Sequence, residues 1–247
     1  MRLLIDLGNN RLKWAVSDGD QWRSDAATVS GTHLETFLDE IWRGLPAPDQ
    51  VVAGSVAQPQ RAEQISQWCQ THWQVVPRWV SACSQQKGVT NCYTKPETLG
   101  VDRWAALIAA RDQAGQTPAV VVDCGTAVTV DALAANGRFI GGVILPGLHM
   151  ARHALTEGAS NLHMSQGDAS RLPACRTEDA VAAGTLHGLA GAIAHILTLY
   201  RQQLGAEPLG LITGGDASQI APLLAHELII EPDLVLKGLA LMADDLC

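Results

Sequence analysis

Leu3-Leu4-Ile5-Asp6-Leu7-Gly8-Asn9-Asn10 and Val120-Val121-Val122-Asp123-Cys124-Gly125-Thr126-Ala127 follow one pattern. Each has three apolar residues, then Asp, any residue, Gly and a small polar side chain. A short apolar run bounded by turn formers reads as a buried strand, and the glycine supplies a tight turn. Leu12 to Val16 and Ala127 to Leu133 then resume strand-like runs, so each copy reads as a β-hairpin with an aspartate ending its first strand. A single D-x-G turn is an ordinary hairpin. Two, 117 positions apart and in the same order, make a weak internal repeat. The expected fold is α/β, with two similar domains facing each other across a cleft.

Outward from the hairpins, helices are expected over 32–43, 59–72, 147–157, 178–204 and 234–246, and a loop feeding a helix over 96–110. Further strands are expected at 51–53, 74–80 and 209–212. The break Gly115-Gln116-Thr117-Pro118 is rich in turn formers and divides the expected domains at 1–116 and 117–247.

An apolar fraction of 47% among 247 residues is enough to bury a sizeable core. A net charge of −8 supplies no basic field for nucleic acid or anionic lipid. Phosphates must then be held by local devices: backbone N–H groups, a lysine and metal ions. No membrane-spanning segment is expected, and the first residues are too short an apolar stretch for a signal peptide, so a soluble, cytoplasmic protein is expected. The six cysteines form no C-x-x-C pair and are expected to be unlinked thiols. His149 and His153 stand four apart on an expected helix, without the rest of a zinc motif, and read as surface or packing residues.

The chemistry-bearing residues gather at the turns. Gly8 lets backbone N–H groups approach a phosphate; Asp6 can hold Mg²⁺ through water, and Lys13 can neutralise phosphate charge. In the second turn Thr126 offers a hydroxyl beside the phosphates and Asp123 a carboxylate for a cation. Two such turns supply the positioning and charge neutralisation that phosphoryl transfer needs. Thr213-Gly214-Gly215-Asp216 follows another buried strand and reads either as room for a flat base or ribose, or as a strand-to-helix turn capped by Asp216. Asp102 and Arg103 sit in a glycine-containing loop at a helix start. The carboxylate can take the proton of an attacking hydroxyl. The guanidinium can bind a carboxylate or phosphate by paired hydrogen bonds.

Together these segments resemble the type III pantothenate kinases. That family carries D-x-G-N-T-x-x-K, here Asp6 to Lys13, and P-x-x-L-G-x-D-R-W, here Pro96 to Trp104. It also carries D-x-G-T-A-x-T-x-D (Asp123 to Asp131), G-G-x-I-x-P-G (Gly141 to Gly147) and T-G-G-D (Thr213 to Asp216). A closing P-x-L-V-L-x-G-L matches Pro232 to Leu239. Asn10 stands where the family has threonine, keeping a polar side chain without the β-hydroxyl.

The resemblance implies two duplicated actin-like (ribonuclease H-like) domains flanking a nucleotide cleft. It also implies ATP-dependent phosphorylation of pantothenate in coenzyme A biosynthesis. Asp6, Leu7, Gly8, Asn9, Asn10, Arg11, Leu12 and Lys13, with Thr126, would bind ATP, and Asp102 would be the proton acceptor. Gly100, Val101, Asp102 and Arg103 would line the pantothenate pocket, touched by Tyr93 and Thr177. Asp123 would bind a monovalent cation, potassium or ammonium, beside the Mg²⁺ at Asp6. The partners implied are pantothenate, the nucleotide and a second copy of the chain in a homodimer. The alternatives are a kinase of another small hydroxylated acid or sugar, or a regulatory relative that has lost turnover.

Overall fold

Strands β1 (Arg2–Leu7), β2 (Arg11–Asp18), β3 (Gln21–Thr28), β4 (Gln50–Ser55) and β5 (Arg78–Trp79) form one sheet in the order β3-β2-β1-β4-β5. β1 and β2 are antiparallel, with Asp6 opposite Lys13, whereas β4 runs parallel to β1, with Asp6 opposite Gly54. Helices α1 (Leu34–Trp42) and α2 (Pro59–Trp73) close one face of the sheet over Leu3, Ile5, Leu7, Leu12, Trp42, Ile65 and Trp68. Pro59 starts α2, where its missing N–H costs nothing, and Gln74 ends it in the left-handed conformation with its N–H on Cys69 and Gln70 carbonyls. A short hairpin of β6 (Gln85–Gln86) and β7 (Val89–Thr90) follows, then a single 3-10 turn at Pro96–Thr98 and helix α3 (Val101–Ala114). The computed structural model describes residues 1–29, 34–158 and 167–245; the expected helix positions 32, 33 and 246 lie outside them.

The second sheet repeats the plan. β8 (Ala119–Cys124), β9 (Ala127–Leu133), β10 (Phe139–Pro146), β11 (Leu209–Thr213) and β12 (Ile229–Ile230) run in the order β10-β9-β8-β11-β12. As in the first sheet, the opening hairpin is antiparallel and the fourth strand, β11, runs parallel to the first. The repeat seen in two turns is therefore a duplication of a whole five-stranded sheet. Helices α4 (Leu148–Gly158), α5 (Thr177–Leu204) and the short α6 (Ala217–Ile220) belong with this sheet. Val120, Val122, Val130 and Ile212 meet Leu189, Ile193 and Leu197 of α5 in its core.

Three expectations change. The chain divides into Met1–Gln113 with the segment from Asp233 onward, and Ala114–Pro232. The last helix, α7 (Leu234–Ala243), thus belongs with the first unit, not with residues 117–232. Its buried face of Leu234, Val235, Leu236, Leu239 and Met242 covers β1, β4 and β2. Gly238 lets it approach α3 so closely that a Cβ there would stand 1.9 Å from the Ala105 carbonyl oxygen. Trp22 Nε1 and Ser24 Oγ donate to Asp233 Oδ2 at 2.8 and 2.7 Å, and Arg78 donates to the carbonyls of Met242 and Ala243, both at 2.9 Å, so both ends of α7 are tied to this unit.

Contrary to the expectation that no segment could span a membrane, α5 is long and apolar enough by length and composition to do so. One face of it, with Leu189, Ala190, Ile193 and Leu197, packs on β8, β9 and β11. Cys69, Cys92, Cys124 and Cys175 are free thiols, but Cys83 is disulfide-bonded, since pairing follows the fold and not the spacing.

Candidate active site

In the first unit the chemistry collects at the carboxyl ends of β1 and β4, where open α/β sheets receive ligands. The β1–β2 turn is closed by Gly8 N–H donating to Arg11 O at 2.9 Å. Val29 N–H donates to Asn10 O at 2.9 Å, and Arg61 Nη1 of α2 donates to Asn9 O at 2.6 Å. Asn9, Asn10 and Arg11 are exposed on a turn fixed from three sides. Leu7 and Leu12 are fully buried in the core, so only their backbone can serve a ligand. Asp6 is buried at the strand end and Lys13, opposite it, is half-buried. Sequence reading missed Arg61; only its hydrogen bond to the turn reveals it.

The Asp102 loop lies beside this turn. Val56, just past β4, donates its N–H to Leu7 O at 3.1 Å, and a Cβ on Gly100 would stand 3.7 Å from its Cγ1. Gly54 of β4 leaves room for Val101, whose methyl would be 3.1 Å from a Cβ at 54. Gly100 O accepts the Trp104 N–H at 3.0 Å and so starts α3, which places Asp102 in the first turn, where backbone N–H groups favour negative charge. Arg103 N–H donates to Asp102 Oδ1 at 2.7 Å. The Arg103 guanidinium is buried and donates through Nη1 to Tyr93 Oη at 3.0 Å, with its carbon 5.9 Å from the Tyr93 ring centroid. Tyr93, Gly100, Val101, Asp102 and Arg103 are therefore one cluster.

In the second unit three glycine-bearing turns converge. Gly125 N–H donates to Ala127 O, Gly147 N–H to Thr126 O and Asp216 N–H to Cys124 O, each at 3.1 Å. Gly147 and Gly214 permit the contact: added Cβ atoms would stand 2.4 Å from Gly125 O and from Cys124 O respectively. Gly214 has φ +96°, which L side chains rarely adopt, and a Cβ there would also stand 2.6 Å from Asp123 Oδ1, so the glycine packs closely against that carboxylate. Thr126 is exposed at the tip of the turn. Thr129 faces Asp123 across the ladder, and its Oγ1 is buried with no hydrogen-bond partner among the described residues. Burial, then the charges of Asp123 and Asp216, push the Cys124 thiol up to about 12, so this cysteine is a core residue and not a nucleophile. Asp216 sits at the α6 N-cap position but makes no side-chain capping bond. Thr177 is the exposed first residue of α5. Among the described residues no group of three or more His, Cys, Asp or Glu side chains forms a metal cage, so a cation here must draw on single carboxylates, hydroxyls, backbone and ligand oxygens.

A model of the type III pantothenate kinase family matches residues 2–199. A type III pantothenate kinase of Nitrosococcus oceani is 40% identical, covering 99% of this chain and 94% of the relative. One of Paracidovorax citrulli is 38% identical, covering 98% of this chain and 97% of the relative. Among solved structures, the activator of 2-hydroxyisocaproyl-CoA dehydratase from Clostridium difficile with bound ADPNP superimposes with a TM-score of 0.56. It is 14% identical and covers 99% of this chain and 94% of that one, a likeness that speaks for the actin-like fold alone. On the family match and the full-length relatives, this chain belongs to the type III pantothenate kinase family.

Proposed function

We propose that the protein transfers the γ-phosphoryl group of ATP to the primary hydroxyl of pantothenate, with Asp102 as proton acceptor. The observation that carries this reading is the cluster at the start of α3: a carboxylate in a first helical turn beside a buried guanidinium. Arg103 orients the acceptor through its carboxylate, with Tyr93, Gly100 and Val101 lining the pocket; Thr177 is assigned to the substrate by the family resemblance alone. Asp102 receives the hydroxyl proton as the new P–O bond makes that hydroxyl acidic. In the first unit the backbone of Gly8 to Arg11 would hold phosphates and Lys13 offset their charge; the Thr126 hydroxyl is assigned to ATP by the family resemblance.

Two cations fit these residues. Asp6, a buried carboxylate at a strand end, would hold Mg²⁺ through water. Asp123 would hold a potassium or ammonium ion, supported by the unpartnered Thr129 hydroxyl opposite. When bound, such ions neutralise the charge that accumulates on the phosphates.

A homodimer accords with the exposed Ile144, Met150 and Leu155. A soluble, cytoplasmic location accords with the metabolic role.

Coupled ADP release with pantothenate tests the reading. Asp102→Asn should lower turnover about 10²–10⁴-fold, and near-normal turnover would remove the proton-acceptor role. Equal rates in sodium-only and potassium buffers would argue against a selective ion at Asp123.

A further inference from the structure

We infer that Asn91 is the positioning residue that sets the acceptor specificity of this site, acting through Tyr93 on Arg103. The inference rests on the reading of Tyr93, Asp102 and Arg103 as the pantothenate pocket.

Asn91 follows the β6–β7 hairpin, and its own N–H closes the hairpin base on Ser84 O at 2.9 Å. Its side-chain amide then joins three separate pieces of backbone. Nδ2 donates to Cys83 O and to Pro96 O, both at 3.2 Å, and Oδ1 accepts the Tyr93 N–H at 3.0 Å. Both amide donors and the amide acceptor are thus engaged.

Each bond has a route to the reacting groups. Tyr93 is held at its backbone by Asn91 and at its hydroxyl by Arg103 Nη1, so the tyrosine is a strut between the two. A buried guanidinium recognises a carboxylate through a planar fork, and its orientation decides whether two hydrogen bonds form or one. On the other side, Pro96 O also accepts Leu99 N–H at 3.2 Å, closing the 3-10 turn that leads into Gly100 and Asp102. Asn91 therefore fixes the tyrosine strut and the start of the loop carrying the proton acceptor, while remaining outside the pocket itself.

Two variants separate this role from a general contribution to stability. Asn91→Asp keeps an oxygen for Tyr93 N–H but turns the donor amide into an acceptor facing two carbonyls. Asn91→Ser keeps a short side chain able to bond two residues on and loses the reach to Pro96. The assay compares pantothenate with its neutral analogue, in which the carboxylate is replaced by a primary alcohol. Either folded variant should raise KM for pantothenate about tenfold to a hundredfold and leave KM for ATP within about twofold. It should also erase most of the preference for pantothenate over the alcohol. A purely structural residue would lower thermal stability without moving that preference. The inference is overturned if a folded variant keeps the wild-type preference while Arg103→Lys loses it. If Arg103→Lys also keeps it, the pocket reading fails and takes this inference with it.

Discussion

Gly100→Ala places one methyl group against the proposed proton acceptor. An ideal Cβ at residue 100 would stand 2.5 Å from Asp102 Oδ1, whereas Cβ contacts under 3.0 Å are essentially never seen. The carboxylate must swing away, and the 2.7 Å bond from Arg103 N–H is its present anchor. Gly100 has no positive φ, so alanine fits the backbone without strain. A reduced unfolded-state entropy should contribute about 0.4–1 kcal/mol in its favour, and the poorer N-cap should offset a similar amount. Stability therefore stays within about 1 kcal/mol, or a shift in Tm of about 2–4 °C. Rate is far more sensitive, because displacing a reacting group by about 1 Å costs up to about 10²-fold. Coupled ADP release should show kcat falling about ten- to a hundredfold, with KM for pantothenate moving less than about threefold. That split matters, since a residue that merely lines the pocket would raise KM instead. A variant with kcat within about twofold of wild type would refute the assignment of Asp102 as the group whose position limits the reaction.

Two glycine substitutions in helices should move stability in opposite directions. Gly238→Ala drives a methyl into the Ala105 carbonyl and should cost about 1–3 kcal/mol in urea unfolding, whereas Gly184→Ala, with nothing within 4 Å, should gain about 0.5–1 kcal/mol. Gly214→Ala combines a positive φ with contacts of 2.4 Å on Cys124 and should destabilise the second unit by more than about 2 kcal/mol, read as a lower urea midpoint. Burial pushes the thiols of Cys69 and Cys124 up to about 12, so at pH 8 a thiol reagent followed by mass mapping should label exposed Cys92 and Cys175 quickly and these two only on unfolding. Because their folded values lie above the reference of 9.0, the stability they support is present below pH 9 and declines as pH rises towards 12, which alkaline unfolding would read.

The two hairpins were legible because an apolar triplet, an aspartate and a glycine determine strand and turn locally. The duplication followed from the same local signal, and the sheets extended it beyond the turns. β3 was not legible. Its sequence Gln21–Thr28 is mostly polar, and it is an edge strand whose side chains are largely exposed, so no apolar alternation marks it. The strand expected over 74–80 shortens to Arg78–Trp79, because Gln74 closes α2 in the left-handed conformation and Val76 is exposed. Asp102 and Arg103 were visible as a pair, but their setting was not. The Tyr93 strut, the Asn91 amide and the Arg61 bond to Asn9 depend on backbone brought together by the fold, and an amide or guanidinium in sequence does not announce which carbonyl it will meet. The membership of α7 was hidden for the same reason, since its apolar face would suit either sheet.

That α7 completes the first unit has a consequence for how the protein is made. Residues 114–232 separate the two parts of that unit along the chain. A ribosome adding about 5–20 residues per second takes on the order of ten seconds to cross that segment. Throughout that interval the nascent first sheet lacks the helix that covers β1 and β4, and Gly238 has yet to meet Ala105. The second unit is continuous along the chain, so its own packing does not wait on α7.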